Sequence, residues 1–315
     1  MLSRIAGNLF WMGRYLERTE HISRFAQAHY FFSIDAPKTI KKEHILESVL
    51  NMAGSYVEYI GLQNKMETDD VAYFIGLNDF NSASIKQSVC KARENARGAK
   101  DSISTELWES INTYYHYVRS MDKAKFEEAG IFCFSEKVLE LNSIINANID
   151  NSLLHDEAWS IIHLGKHIER TTQIIRIIVT KINDINRIPK KEFYNMIELF
   201  ENVNLLKSTG AYDMSKIHYR EVPNVSHSLE FLTLNRNFPK SIVYNLRHIE
   251  NCLLRITNVS KHQPNSLEFY ASKLLSSVQY TSIQDIEKEP LAFYHDLLNK
   301  VAKLADMLEI KYLQY

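Results

Sequence analysis

Glycine and proline are scarce in this sequence, nine and six among 315 residues. Turn-dense β architectures depend on both residue types, so their scarcity argues against a sandwich or barrel and favours long helices. Cysteine is scarcer still. Cys90, Cys133 and Cys252 stand far apart with no Cys-x-x-Cys pair, which suits buried thiols in a reducing compartment better than a disulfide framework or a zinc site. No run of about 18 apolar residues occurs, so no membrane span is expected. Excess charge of one sign is also missing. With 37 basic and 38 acidic side chains the formal net charge is −1, and nucleic acid is not an expected partner. The chain meets Arg14, Glu17 and Arg18 too early for a signal-peptide core, so the expected location is the cytoplasm.

What is present is helical periodicity. Ile5, Leu9, Met12, Leu16, Ile22 and Ala26 recur at three- and four-residue spacing, predicting a long first helix from an N-cap at Ser3 to about Phe32, stopping before Asp35-Ala36-Pro37. Further helices are expected over about 41–53, 70–75, 84–98 (opened by Ser82 or Ser84), 105–118, 126–149 and 156–182. After a loop at 183–189, others follow at 191–207, 239–258, 267–279 and 290–312, with Pro290 in a first turn. Acidic Asp156 and Glu157 suit the first turn of the helix they open. Residues 209–224 are the least helical stretch. The expectation is an all-α protein of two related multi-helix bundles packed together, 1–152 and 153–315.

The relation between the halves rests on collinear matches. Gly13-Arg14-Tyr15-Leu16-Glu17-Arg18-Thr19-Glu20-His21-Ile22-Ser23-Arg24 aligns without gaps on the twelve residues from Gly165 to Arg176, with Gly, Glu, Arg, Thr, Ile and the final Arg identical. Alone, such a match is within chance. Gly54-Ser55-Tyr56 reappears as Gly210-Ala211-Tyr212, and Leu77-Asn78 with Ser84-Ile85 reappears as Leu234-Asn235 with Ser241-Ile242. The displacements, 165 − 13 = 152, 210 − 54 = 156 and 234 − 77 = 157, keep one order. A common displacement of this size points to a duplicated domain and not to a solenoid of short units.

The repeated helix carries the candidate chemistry. Gly13 and Glu17 share a face, as do Gly165 and Glu169. A mid-helix glycine costs about 1 kcal/mol against alanine, so two copies suggest that something must approach closely there. Arg14 with Arg18, and Lys166 with Arg170, place like charges one turn apart and call for a negative partner. That partner can be internal, Glu17 to Arg170 and Glu169 to Arg18 across the junction. The alternative is a ligand carboxylate or phosphate held in a polar cleft, with Glu17 or Glu169 as a general base. Arg93-Glu94-Asn95-Ala96-Arg97 forms a second polar cluster, read from spacing alone as a solvated helix end.

At these residues the sequence resembles the alpha-E family of bacterial helical proteins. Leu2-Ser3-Arg4-Ile5-Ala6, Asn8-Leu9 and Trp11 through Arg18 are similar to that family's opening block. Ala92 through Arg97 with Ile103-Ser104, Glu106 and Trp108-Glu109 resemble a second, Trp159 with Leu164-Gly165 and Glu169-Arg170 a third, and Phe238-Pro239 with Ser241 a fourth. The chain departs from the family at His155-Asp156-Glu157, where a basic pair is usual. The resemblance implies association with circularly permuted ATP-grasp amide ligases and transglutaminase-like cysteine peptidases, in systems that make or trim amide or peptide modifications. The residues carried into a ligand site on this basis are Arg14, Glu17, Arg18, Arg93, Glu94, Arg97, Glu169 and Arg170.

No Gly-x-x-x-x-Gly-Lys-Ser/Thr, Gly-x-Gly-x-x-Gly, His-Glu-x-x-His or Glu-x-x-His occurs, so no cofactor is expected and ATP would belong to a partner. His163 and His167 lie four apart, but two ligands do not make a metal site. Three readings remain open: an accessory or substrate-binding component beside an ATP-grasp ligase, an enzyme of amide or peptide chemistry with a glutamate base, and a scaffold whose Glu–Arg pairs weld the halves.

Overall fold

The computed structural model describes residues 1–35, 40–62, 65–188, 194–257 and 263–313, and every regular element among them is a helix. The first half runs α1 (Ser3–Asp35), α2 (Lys42–Ala53), α3 (Tyr56–Gly61), α4 (Thr68–Gly76), α5 (Ile85–Gly98), α6 (Thr105–Ser120) and α7 (Lys123–Ser152). The second runs α8 (Glu157–Asn186), α9 (Tyr194–Ser208), α10 (Tyr212–Tyr219), α11 (Val225–Leu234), α12 (Ile242–Thr257), α13 (Leu267–Gln279), α14 (Ile283–Lys288) and α15 (Pro290–Leu308). No helix among the described residues is long and apolar enough to cross a membrane.

Local chemistry accounts for most boundaries. Ser84, Ser104, Asp122, Ser266 and Ser282 each cap a helix by accepting a hydrogen bond from a backbone N–H in the first turn, the usual remedy for orphaned donors. Asp156 caps α8 through the N–H groups of Ala158 and Trp159, so it stands one position ahead of the expected first turn. Pro290 opens α15 where its missing N–H does no harm.

Several expectations need correction. Of the three thiols expected to be buried, Cys252 is, Cys90 is half-buried and Cys133 is exposed. Ser3 lies inside α1, because Leu2 O already accepts from the N–H groups of Ile5 and Ala6. Helix α8 continues through 183–186, expected to be loop. The 209–224 stretch contains α10. Gly130, at φ 73°, breaks the stretch expected to be one continuous helix over 126–149. Short α3, α11 and α14 were not anticipated, since six to ten residues hold too few turns for periodicity to register. Helix α1 runs through Asp35, before which it was expected to stop. Ala36-Pro37, the Pro189 end of the loop, the start at 191 and the end at 258 lie outside the described residues.

Two long helices organise the rest. Helix α1 lies against α5 and α7, and α8 lies against α12 and α15. Outside them α5 packs on α6, and α12 on α13. Helices α1 and α8 pack on each other, and each also receives a helix from the opposite half, α9 on α1 and α2 on α8. One continuous apolar core joins residues from both halves.

Candidate functional site

The site is built where α1 crosses α8. A Cβ added at Gly13 would lie 2.4 Å from the Ile162 carbonyl oxygen, and one at Gly165 would lie 2.1 Å from the Phe10 carbonyl oxygen. No side chain fits at either position, so the backbones touch and residues one turn further along each helix are brought to the same interior place. Those residues are the two glutamates.

Each glutamate is held by arginines of the other half. Arg170 donates to Glu17 through both Nε and Nη2, the latter at 2.7 Å. Arg18 donates to Glu169 through Nε at 2.7 Å and Nη2 at 3.2 Å, and Arg14 Nε adds a third bond at 2.9 Å. Both carboxylates are almost fully out of solvent, at 2% and 0% exposure. One more donor stands four residues after each. His21 Nε2 lies 3.1 Å from Glu17, and Gln173 Nε2 donates to Glu169 at 2.9 Å. Bidentate guanidinium pairing of this kind is the strongest way to keep a buried carboxylate charged.

Burial by itself pushes both carboxyl groups up, yet Arg170 and His21 hold Glu17, and Arg18 and Arg14 hold Glu169, well below the usual carboxylate range. The partners respond in kind. Burial lowers Arg18 and Arg170, and their glutamates more than restore them, leaving both guanidinium groups raised. Glu169 accepts four hydrogen bonds and Glu17 is engaged by three, and neither has the near-neutral pKa that a general base needs.

Five of the eight residues expected at a ligand site therefore converge: Arg14, Glu17, Arg18, Glu169 and Arg170. The other three do not join them. Glu94 pairs with Arg93 at 2.7 Å and with Arg97 at 2.6 Å. Arg93 also donates to Asn112 of α6 and lies over the rings of Trp108 and Tyr115. This second cluster occupies the α5–α6 surface, where Arg97 is 64% exposed at its side chain. His163 and His167 are engaged separately, His163 Nε2 with Asp150 at 2.9 Å and His167 Nδ1 with Asn245 at 2.7 Å. Burial drives both histidines toward the neutral form, His163 to about 4.

Sequence reasoning missed the groups around this core. Glu20 accepts from Lys240 at 2.7 Å and from Arg24 at 3.1 Å. Burial raises it, and Lys240 leads the groups that bring it down to about 2. Lys181 sits fully buried between Glu201 and Asp184, 2.9 and 3.0 Å away. Lys166 occupies the position of Arg14 in the alignment but, among the described residues, reaches no carboxylate and makes no hydrogen bond. It is 5% exposed, and burial, with Arg170 next, lowers its ammonium pKa. The one signal available in advance was the position four residues after each glutamate, where His21 and Gln173 both carry a donor.

A family model described as a predicted alpha-helical domain with a conserved ER motif matches residues 1–313. Two uncharacterised mycobacterial proteins, one from Mycobacterium bovis and one from Mycobacterium tuberculosis, are each 22% identical to it across 78% of this chain. The match covers 29% of each relative, so the chain spans under a third of their length. No solved structure matches it.

Proposed function

Because this chain belongs to the Alpha-E family, we propose that it is an accessory, non-catalytic helical component of a cytoplasmic ATP-grasp amide-ligase and peptide-modification system, its halves being two copies of one ancestral unit. Circularly permuted ATP-grasp ligases and transglutaminase-like peptidases are the proposed partners. The Glu–Arg cluster is the lock between the copies, and its closure carries the reading. Glu17 and Glu169 are both buried, Glu17 engaged by three donors and Glu169 by four. An arginine whose Nε and Nη2 already face a buried carboxylate is poorly placed to recognise a second anion.

Two further observations support it. Relatives about three times longer carry this region together with other sequence, the arrangement expected of a module that works beside another activity. The contacts of Gly13 and Gly165, and of Arg18 and Arg170, exchange between halves as a pseudo-twofold duplication requires.

Assay of the purified chain with and without its partner ligase tests the proposal. Amide product should require the ligase, and this chain should raise its yield or select its substrate. Turnover by the chain alone would overturn the accessory role.

A further inference from the structure

Within the twelve aligned residues, one carboxylate of the first half is missing from the second. Four residues before Arg24 stands Glu20, which pairs with it at 3.1 Å. Four residues before Arg176, the residue aligned with Arg24, stands Thr172. Both arginines cross a left-handed glycine that ends a helix of the opposite half. Arg24 Cδ lies 3.2 Å from the Cβ position of Gly210, and Arg176 Nη1 lies 3.1 Å from that of Gly54. Arg24 therefore has a carboxylate, and Arg176, among the described residues, has neither ion pair nor hydrogen bond. The carbonyl end of α2 faces it with only about half a unit charge.

Arg176 opens onto a cavity of about 380 Å³ between α2, α8 and α15. Asn51, Asn183 and His295 also line it, and none of the three makes a side-chain hydrogen bond among the described residues. The other charges at its wall have partners, although Asp184 shares its lysine with Glu201. Arg187 pairs with Glu47, and Asp184 pairs with Lys181 and accepts from Ser48. The lining thus places one guanidinium without an ion pair beside several solvent-exposed polar groups that are free to bind.

We infer that this cavity binds a small molecule through an oxyanion, a carboxylate or a phosphate, held by the Arg176 guanidinium. A bound anion supplies the charge that Glu20 supplies in the first half. Burial and the nearby Arg18 and Arg14, only partly offset by Glu169, already disfavour the charged guanidinium. The volume falls within the range of small-ligand sites. The inference does not depend on the proposed ligase partnership, because the site lies wholly within this chain.

Calorimetric titration of the full chain with acetate, glutarate and inorganic phosphate tests it, alongside Arg176→Gln and Thr172→Glu. At least one probe should bind saturably at about 1 mM or better, and both variants should weaken it about tenfold or more. Thr172→Glu recreates the internal carboxylate, so it should block the site while leaving melting temperature unchanged or raised. Tighter glutarate would assign a carboxylate ligand, and tighter phosphate a phosphoryl ligand. Absence of saturable binding for all three probes, or equal binding by wild type and both variants, would overturn the site.

Discussion

Gly13 and Gly165 lie on opposite sides of one helix crossing, each leaving room for a backbone carbonyl of the other helix, Ile162 O and Phe10 O respectively. This contact sets the spacing at which Glu17 meets Arg170 and Glu169 meets Arg18. A helix pair held a methyl group further apart would strain every bond in that cluster.

Alanine at either glycine should destabilise the protein, although alanine is the better helix former by about 1 kcal/mol. The added Cβ would press on main-chain oxygen, which cannot rotate aside, and a cost of about 2–4 kcal/mol is expected. Urea denaturation of Gly13→Ala and Gly165→Ala measures it. Unchanged or increased stability in both would show that the helices can slide apart freely.

Removing one buried carboxylate should cost more than removing a surface ion. Glu169→Ala strands Arg14 and Arg18, and Glu17→Ala strands Arg170, so each should lose about 3–5 kcal/mol. Glu169→Ala should be the worse of the two because two guanidinium groups lose their partner. A calorimetric melting temperature within a degree or two of wild type for either variant would contradict the lock.

Acid should weaken the fold in two stages. Histidines whose folded pKa is depressed contribute stability that is complete above the unfolded value near 6.5 and is lost as pH falls toward the folded value. His163, at about 4, and His29 and His167, well below their ordinary value, should each add a slope of up to about 1.4 kcal/mol per pH unit below about 6.5. Glu17, Glu20 and Glu169 are depressed carboxylates, so their contribution should fade only below about pH 4.5. Unfolding free energies that stay level between pH 7 and pH 5 would count against the buried neutral histidines.

Lys166, like Arg176, is a cation of the repeated motif that has no ion pair among the described residues, and it is the more deeply buried of the two. Replacing it with methionine keeps the stem and removes an ammonium group crowded by Arg170, so Lys166→Met should stabilise by about 1 kcal/mol. Thermal melting checks the sign, and a clear loss would mean that the attraction of Glu17, Asp150 and Glu20 outweighs the burial cost.

The fold class and the residues of the lock were legible because both are local patterns. Apolar spacing in α1 and α8 marks two long helices, and Gly, Glu and Arg at fixed intervals mark one face of each. Short α3, α11 and α14 carried too few turns to register, and the Gly130 break was hidden by apolar residues continuing on both sides. Spacing alone read Arg93, Glu94 and Arg97 as a solvated helix end, which is where they stand, and the family resemblance was what carried them into the site.

Sequence alone determined that this chain is helical and which side chains of α1 and α8 share a face, because helical geometry converts separation along the chain directly into direction. Tertiary packing decided that the glutamates are answered by arginines some 150 residues away and that Arg176 is left over a cavity. Those outcomes depend on which faces of α1 and α8 meet and how closely, and no spacing within either helix encodes the distance between them.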